Sequence, residues 1–321
     1  MKLVTIDSLP NPHVGVLVDA DFVLDLAALK AVLPLANLVP NSMREVLEAG
    51  EAGLDAVAHC LAQVDSMAAD EKTILSEAGI LSALDEVPLL APVPNPKLIL
   101  SVGLNYWKHL EEMAGTPTPK HPAAFIKTRD SLSGSGSPIV VPSQCPDMID
   151  YEGELCFVFG RQCHNVTAEE AMDYVVGYTI ANDVSARNWV GEVFSADGTF
   201  PAIHSWERNI NGKQLPGFTP CGPVLVTKDE IDDPNKLQMT TTLNGEVMQS
   251  TSTDDMIFQL PELVSYFSQW YQFHPGDIVT TGTPAGVGFG RDPKVFMKPG
   301  DVVEVEVEGI GKLSNTIVET N

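Results

Sequence analysis

Apolar and polar positions alternate along many short runs of this chain, and glycine, proline or aspartate closes most of them. Period-two alternation turns one face of a strand to a core, and the punctuating residues supply the turns. Residues 1–19 read as one or two short strands broken by Pro10 and Pro12. Residues 24–91 change character: they are rich in Ala, Leu and Glu, and MREVLEAGEAGLDAVAHCLAQV carries the helical period. APVPNPKL, residues 91–98, holds three prolines and reads as an extended linker. PKLILSVGLNYWKHLEEM then reads as strand, turn and a helix starting near Tyr106. FIKT, PIVVP, ELCFVFG, VVGYTIAND, CGPVLVT, LQMTTTLNGEVMQ, GDIVTTGTP and DVVEVEVEGIGKLSNTIVE follow as strands, with a hairpin signal in LNGE at 243–246. Helices are expected near 168–175 and 256–270. The pattern gives an α+β, β-rich chain, with a small N-terminal α/β domain over residues 1–90 and a β-rich domain over 91–321.

Composition narrows the partners. Of 321 residues, 44% are hydrophobic, enough for a substantial core. The net charge of −24 argues against nucleic acid or an anionic membrane as the main partner, and leaves room for a local basic pocket. The five cysteines are odd in number and form no CxxC, which fits reduced thiols in a cytoplasmic protein. No run of about 18 apolar residues occurs, and the first residues lack the apolar stretch of an export signal.

Candidate chemistry begins at DYEGELCFVFG. Glu152 and Glu154 are two apart at the mouth of an apolar strand, so both carboxylates point the same way. Asp183 ends another apolar strand, in GYTIANDVSARNW. Carboxylates at strand ends suit a hard divalent cation, Mg²⁺ with Mn²⁺ or Ca²⁺ as alternatives, and no His or Cys spacing favours zinc. Spacing alone leaves salt bridges or turn caps as the other reading. In NYWKHLEE, His109 and Glu112 are i and i+3 on a helix and share a face. A carboxylate on one ring nitrogen leaves the other as a base, while a plain surface pair is the alternative. In a chain poor in Lys and Arg, Arg187, Lys213 and Lys127 form a cation set that could meet substrate or hold the acids. TTGTPAGVGFG, residues 280–290, lacks the GxxxxGK[ST] pattern, so it reads as a Gly-rich turn offering hydroxyls and N–H groups to a small anion.

Together these segments resemble the fumarylacetoacetate hydrolase family. The resemblance is carried, in order, by PVPNPKLILSVGLNYWKHLEE, FIKT, PIVVP, DYEGELCFVFG, GYTIANDVSAR, GKQLPGFTPCGP, LNGEVMQ, PGDIVTTGTPAGVG and PGDVVEVEVEGIGKLSN. It implies a mixed β-roll or β-sandwich fold and a homodimer. It implies an Mg²⁺ or Mn²⁺ site on Glu152, Glu154 and Asp183, and a His109–Glu112 dyad that activates water, on a segment that acts as a lid. Lys213 would lie near the metal and the oxyanion, and Thr283 would contact a substrate carboxylate. Arg187, Lys127, Val190 and Tyr106 complete the expected substrate contacts. SARNWV departs from the family pattern, with Asn188 for aspartate and Val190 for a glutamine, which leaves the substrate open. Val190, with Trp107, Trp189 and Phe194 near it in sequence, suggests a larger or less polar substrate, or else core and dimer contacts.

The expected activity is metal-dependent hydrolysis of a C–C bond in a 1,3-diketo acid or acylpyruvate, of the kind met in aromatic catabolism. The alternatives are decarboxylation or tautomerisation of an oxaloacetate-like 2-oxo acid on the same metal site, or a non-catalytic relative. The insert at 188–206 is the place to look for specificity.

Overall fold

The computed structural model describes residues 1–8, 10–19, 21–113 and 116–320. Its largest sheet runs, edge to edge, through Leu81–Ala83, Phe22–Asp25, His13–Val18, Lys2–Ile6, Thr219–Thr227, Val175–Asn182, Gly153–Phe159, Ile278–Thr280, Ile99–Gly103 and Ala123–Lys127. A second sheet orders Glu246–Ser252, Gln238–Leu243, Val302–Val307, Gly311–Val318 and Ile139–Val140.

The apolar faces of the two sheets meet in one core. Leu155, Phe157 and Ile180 of the first sheet join Met239, Val305 and Leu313 of the second. Gly153 marks the tightest approach: a Cβ there would lie 2.2 Å from Thr241 Oγ1 and 2.9 Å from Val305 Cγ1. The opposite face of Gly153–Phe159 is buried as well. Cys156 and Val158 pack with Val46, Leu47, Val57 and Cys60 from the N-terminal helices, which explains why the strand reads as a continuous apolar run.

Residues 1–90 do not carry a separate sheet. Lys2–Ile6 pairs antiparallel with Thr219–Thr227 through Lys2↔Val226 and Leu3↔Leu225, so the N-terminal strands extend the main sheet. The 43–64 stretch forms two helices, Met43–Glu48 and Glu51–Asp65, because Gly50 takes φ +62° between them. Near 168–175 only the 3₁₀ turn Ala171–Asp173 forms, correcting the helix expected there; from Val175 the chain is committed to the buried strand. The second expected helix is present as Leu260–Ser268. No helix among the described residues is long and apolar enough to cross a membrane.

Candidate active site

Strand register brings the acids together. Gly153–Phe159 and Val175–Asn182 pair antiparallel with Gly153 opposite Asn182, so Glu152 and Asp183 flank the last rung. The Asp183 N–H donates to the Glu152 carbonyl at 2.9 Å, and the Glu152 N–H donates to Asn182 Oδ1 at 2.9 Å. Glu154 is two residues along the strand on the Glu152 face. Carboxylate oxygens of Glu152, Glu154 and Asp183 all lie within 4.8 Å of one another, and all three residues are buried.

The cation set surrounds these acids. Lys213 Nζ donates to Glu152 at 2.5 Å and to Asp183 at 2.7 Å. Lys127 Nζ donates to Asp183 and to the Phe218 carbonyl. Arg187 forks between Asp150 Oδ2 at 2.9 Å and Glu152 Oε1 at 2.5 Å. Four buried carboxylates, counting Asp150, thus face three cations, and Glu154 has no ion pair among the described residues.

The pKa directions follow that imbalance. Burial, reinforced by the charges of Asp183 and Glu152, pushes the Glu154 carboxyl well above its ordinary range. Burial works on Asp183 the same way, but Lys127 and Lys213 outweigh it and hold that carboxyl down to about 2. Three convergent oxygen donors with one unmatched negative charge fit a hard divalent cation.

The glycine-rich run serves the same site. Gly282 N–H donates to Glu154 at 2.8 Å, Gly286 N–H to Glu112 at 3.1 Å, and the N–H groups of Gly288 and Phe289 to Asp150 at 2.7 and 3.0 Å. The anions it binds are therefore the protein's own carboxylates. The helix Trp107–Glu112 carries the dyad, with His109 Nδ1 3.0 Å from Glu112 Oε2. That contact makes Nδ1 the donor and leaves Nε2 free to accept a proton. Gly290 presses on Glu112: a Cβ there would lie 2.5 Å from the carboxyl carbon.

The acids and the dyad open onto one cavity of about 490 Å³, lined also by Arg187, Lys213, Thr283 and Val190. Thr283 donates to the Gly153 carbonyl at 3.0 Å and accepts from Gln249 at 2.8 Å. Two of the expected substrate contacts fall elsewhere. Tyr106 is wholly buried in the main core and does not line the cavity, because the start of its helix turns inward to bridge Met256. Lys127 is 2% exposed and held by Asp183 and Phe218, so it braces an acid and does not face the cavity.

Asp150 was not singled out from sequence, although it opens the same DYEGE motif two residues before Glu152. The 188–206 insert forms Val190–Ser195 and the start of Thr199–Asn211, two helices whose Val190, Val193, Phe194, Trp206, Asn209 and Ile210 make an otherwise apolar cavity wall.

Residues 98–318 match the model of the fumarylacetoacetate (FAA) hydrolase C-terminal domain, well over half of the chain, and the chain belongs to that family. Similarity extends beyond the matched region. A mitochondrial oxaloacetate tautomerase of Xenopus laevis is 39% identical over 321 residues, covering 99% of this chain and 90% of that protein. An oxaloacetate tautomerase of Bacillus subtilis (strain 168) is 35% identical over 320 residues, covering 99% of this chain and 100% of the relative. Among solved structures, a fumarylacetoacetate hydrolase from Exiguobacterium antarcticum superposes with TM-score 0.75 at 30% identity, covering 100% of both chains. A probable 2-hydroxyhepta-2,4-diene-1,7-dioate isomerase from Mycobacterium abscessus gives TM-score 0.72 at 30% identity with the same coverage.

Proposed function

We propose that the protein is a divalent-cation-dependent tautomerase of a small 2-oxo acid, with oxaloacetate as the substrate. One observation carries the chemistry: the Glu152, Glu154 and Asp183 carboxylates and the His109–Glu112 dyad line the same cavity. The choice of substrate is supported by near full-length similarity to proteins named as oxaloacetate tautomerases, which moves the balance from hydrolysis to its alternative.

Glu152, Glu154 and Asp183 would hold the cation, Mg²⁺ or Mn²⁺. Bound there, it would polarise the 2-oxo group and make the neighbouring C–H more acidic. His109, oriented through Nδ1 by Glu112, accepts the C3 proton at Nε2 and returns a proton to the oxygen on C2. The C–H bond breaks, the O–H bond forms, and no atom is lost. Lys213 adds positive charge beside the developing enolate. Glu112 is fixed in turn by Gly286, so the base keeps its tautomer through the cycle.

A second reading is favoured by the cavity itself. About 490 Å³ with one largely apolar wall exceeds what a four-carbon acid fills, so hydrolysis of a longer 1,3-diketo acid by dyad-activated water is the competitor. The deciding experiment follows enol absorbance of oxaloacetate and of acylpyruvates with EDTA-stripped protein, before and after Mg²⁺ is restored. Metal-dependent tautomerisation of oxaloacetate with no cleaved product supports the proposal. Two cleaved products from an acylpyruvate, with oxaloacetate untouched, replace it with hydrolysis.

A further inference from the structure

The buried polar side chains that line the cavity have protein partners, with one exception among the described residues. Arg187, Lys213, Glu152, Glu154, Asp183, His109 and Thr283 are all hydrogen-bonded. Asn209 is 8% exposed, lines the cavity, and its Oδ1 is buried with no partner. A cavity-lining carboxamide that no protein group meets keeps its N–H donors for a ligand.

Its placement is equally specific. Trp206, Asn209, Ile210 and Lys213 are spaced i, i+3, i+4 and i+7 along and just past the helix Thr199–Asn211, and all four line the cavity. Asn209 is thus the polar position on an apolar wall, on the same helical face that leads down to Lys213 and the acids.

We propose that Asn209 is a specificity-determining residue that hydrogen-bonds the second carboxylate of the substrate, the end remote from the chelating 2-oxo acid head. This rests on the dicarboxylate reading of the preceding section. A second carboxylate finds no uncommitted buried cation here. Arg187 and Lys213 are tied to Asp150, Glu152 and Asp183, and Lys294, the other Lys or Arg on the lining, is exposed over the Phe289 ring. A neutral donor is what remains. The carboxamide Nδ2 makes no hydrogen bond among the described residues and, unlike Oδ1, is not sealed in the wall, so the side chain presents its N–H to the ligand as it stands.

The test compares wild type, Asn209→Ala and Asn209→Asp with Mg²⁺ present. It measures kcat and KM for oxaloacetate tautomerisation and the inhibition constant of oxalate, which carries only the chelating head. Asn209 makes no side-chain bond among the described residues, so Asn209→Ala should keep its structure, and thermal melting confirms that Asn209→Asp, which adds a half-sealed carboxylate, is folded at the assay temperature. Asn209→Ala is expected to raise KM about tenfold, with kcat within about threefold and oxalate within about twofold. Asn209→Asp is expected to raise KM further through like-charge repulsion. Unchanged KM in Asn209→Ala, parallel loss of oxalate binding, or tighter oxaloacetate binding by Asn209→Asp would each overturn the assignment. Wild-type protein that does not act on oxaloacetate would instead refute the proposed function.

Discussion

Replacing Gly290 by alanine perturbs the dyad without substituting either of its members. The added Cβ would stand 2.5 Å from both the carboxyl carbon and Oε1 of Glu112. Ordinary carbon contacts begin near ~3.5 Å, so the carboxylate must retreat by about 1 Å. That retreat stretches the 3.0 Å contact with His109 and the 3.1 Å contact with Gly286 beyond hydrogen-bonding range. The imidazole then loses its fixed tautomer. A positioned base contributes roughly 10²–10⁴-fold, so partial loss should lower kcat by about 30–100-fold, or about 2–3 kcal/mol. Gly290 lies in the 3₁₀ turn Gly288–Gly290, outside the left-handed region, and the obstructing atoms are the end of a movable side chain. The melting temperature should therefore fall by no more than about 2 °C. The assay is steady-state tautomerisation beside calorimetric Mg²⁺ titration and thermal melting. Unchanged kcat in a folded, Mg²⁺-binding variant would refute the claim that Glu112 sets the base.

Other perturbations separate the acids by role. Glu154→Gln should abolish metal-dependent turnover yet stabilise the metal-free protein by about 1–2 kcal/mol at pH 7, because it removes a buried carboxylate with no ion pair. The sign follows from the raised folded-state pKa: wild-type stability is lost as pH rises through it, so the advantage should vanish below the unfolded value of about 4.5 and grow upward, as urea melts across pH would show. Arg187→Met strands Asp150, whose one ion-pair partner among the described residues is Arg187, and leaves Glu152 to Lys213 alone; it should cost about 3–5 kcal/mol, read as a lower urea midpoint. Gly153→Ala drives a Cβ to 2.2 Å from Thr241 Oγ1 and should cost about 1–3 kcal/mol in the same measurement. The five buried free cysteines should resist thiol reagents until urea unfolds the chain; burial pushes the Cys163 thiol up to about 11.

The parts legible in the sequence share a physical cause. Glu152 and Glu154 obey strand parity, His109 and Glu112 obey helix spacing, and both periods are local. What escaped depends on long-range pairing or on the backbone. Asp150 is a buried anchor because amides of Gly288 and Phe289, 138 and 139 residues away, converge on it. The donors of the 280–290 run are main-chain N–H groups, which no side-chain pattern records. Tyr106 sits beside the dyad in sequence but at the inward-facing start of the helix, so adjacency misled. Lys2–Ile6 joins the main sheet across more than 200 residues, a partnership that residues 1–90 do not announce. The wall helices carry small residues, glycine and Pro201 among their apolar positions, and they are held to each other, Arg208 donating to Glu192 at 2.6 Å across a separation of 16 residues.

The most direct test of the account is the rate of oxaloacetate enol loss catalysed by EDTA-stripped wild-type protein as Mg²⁺ is added, with His109→Ala measured beside it. A rate that is absent without metal, returns with Mg²⁺, and falls by at least about 100-fold in a His109→Ala variant that still binds Mg²⁺ is the predicted result. A wild-type rate indifferent to EDTA, or full activity in His109→Ala, would contradict the claim that carboxylate trio and dyad act together on one bound 2-oxo acid.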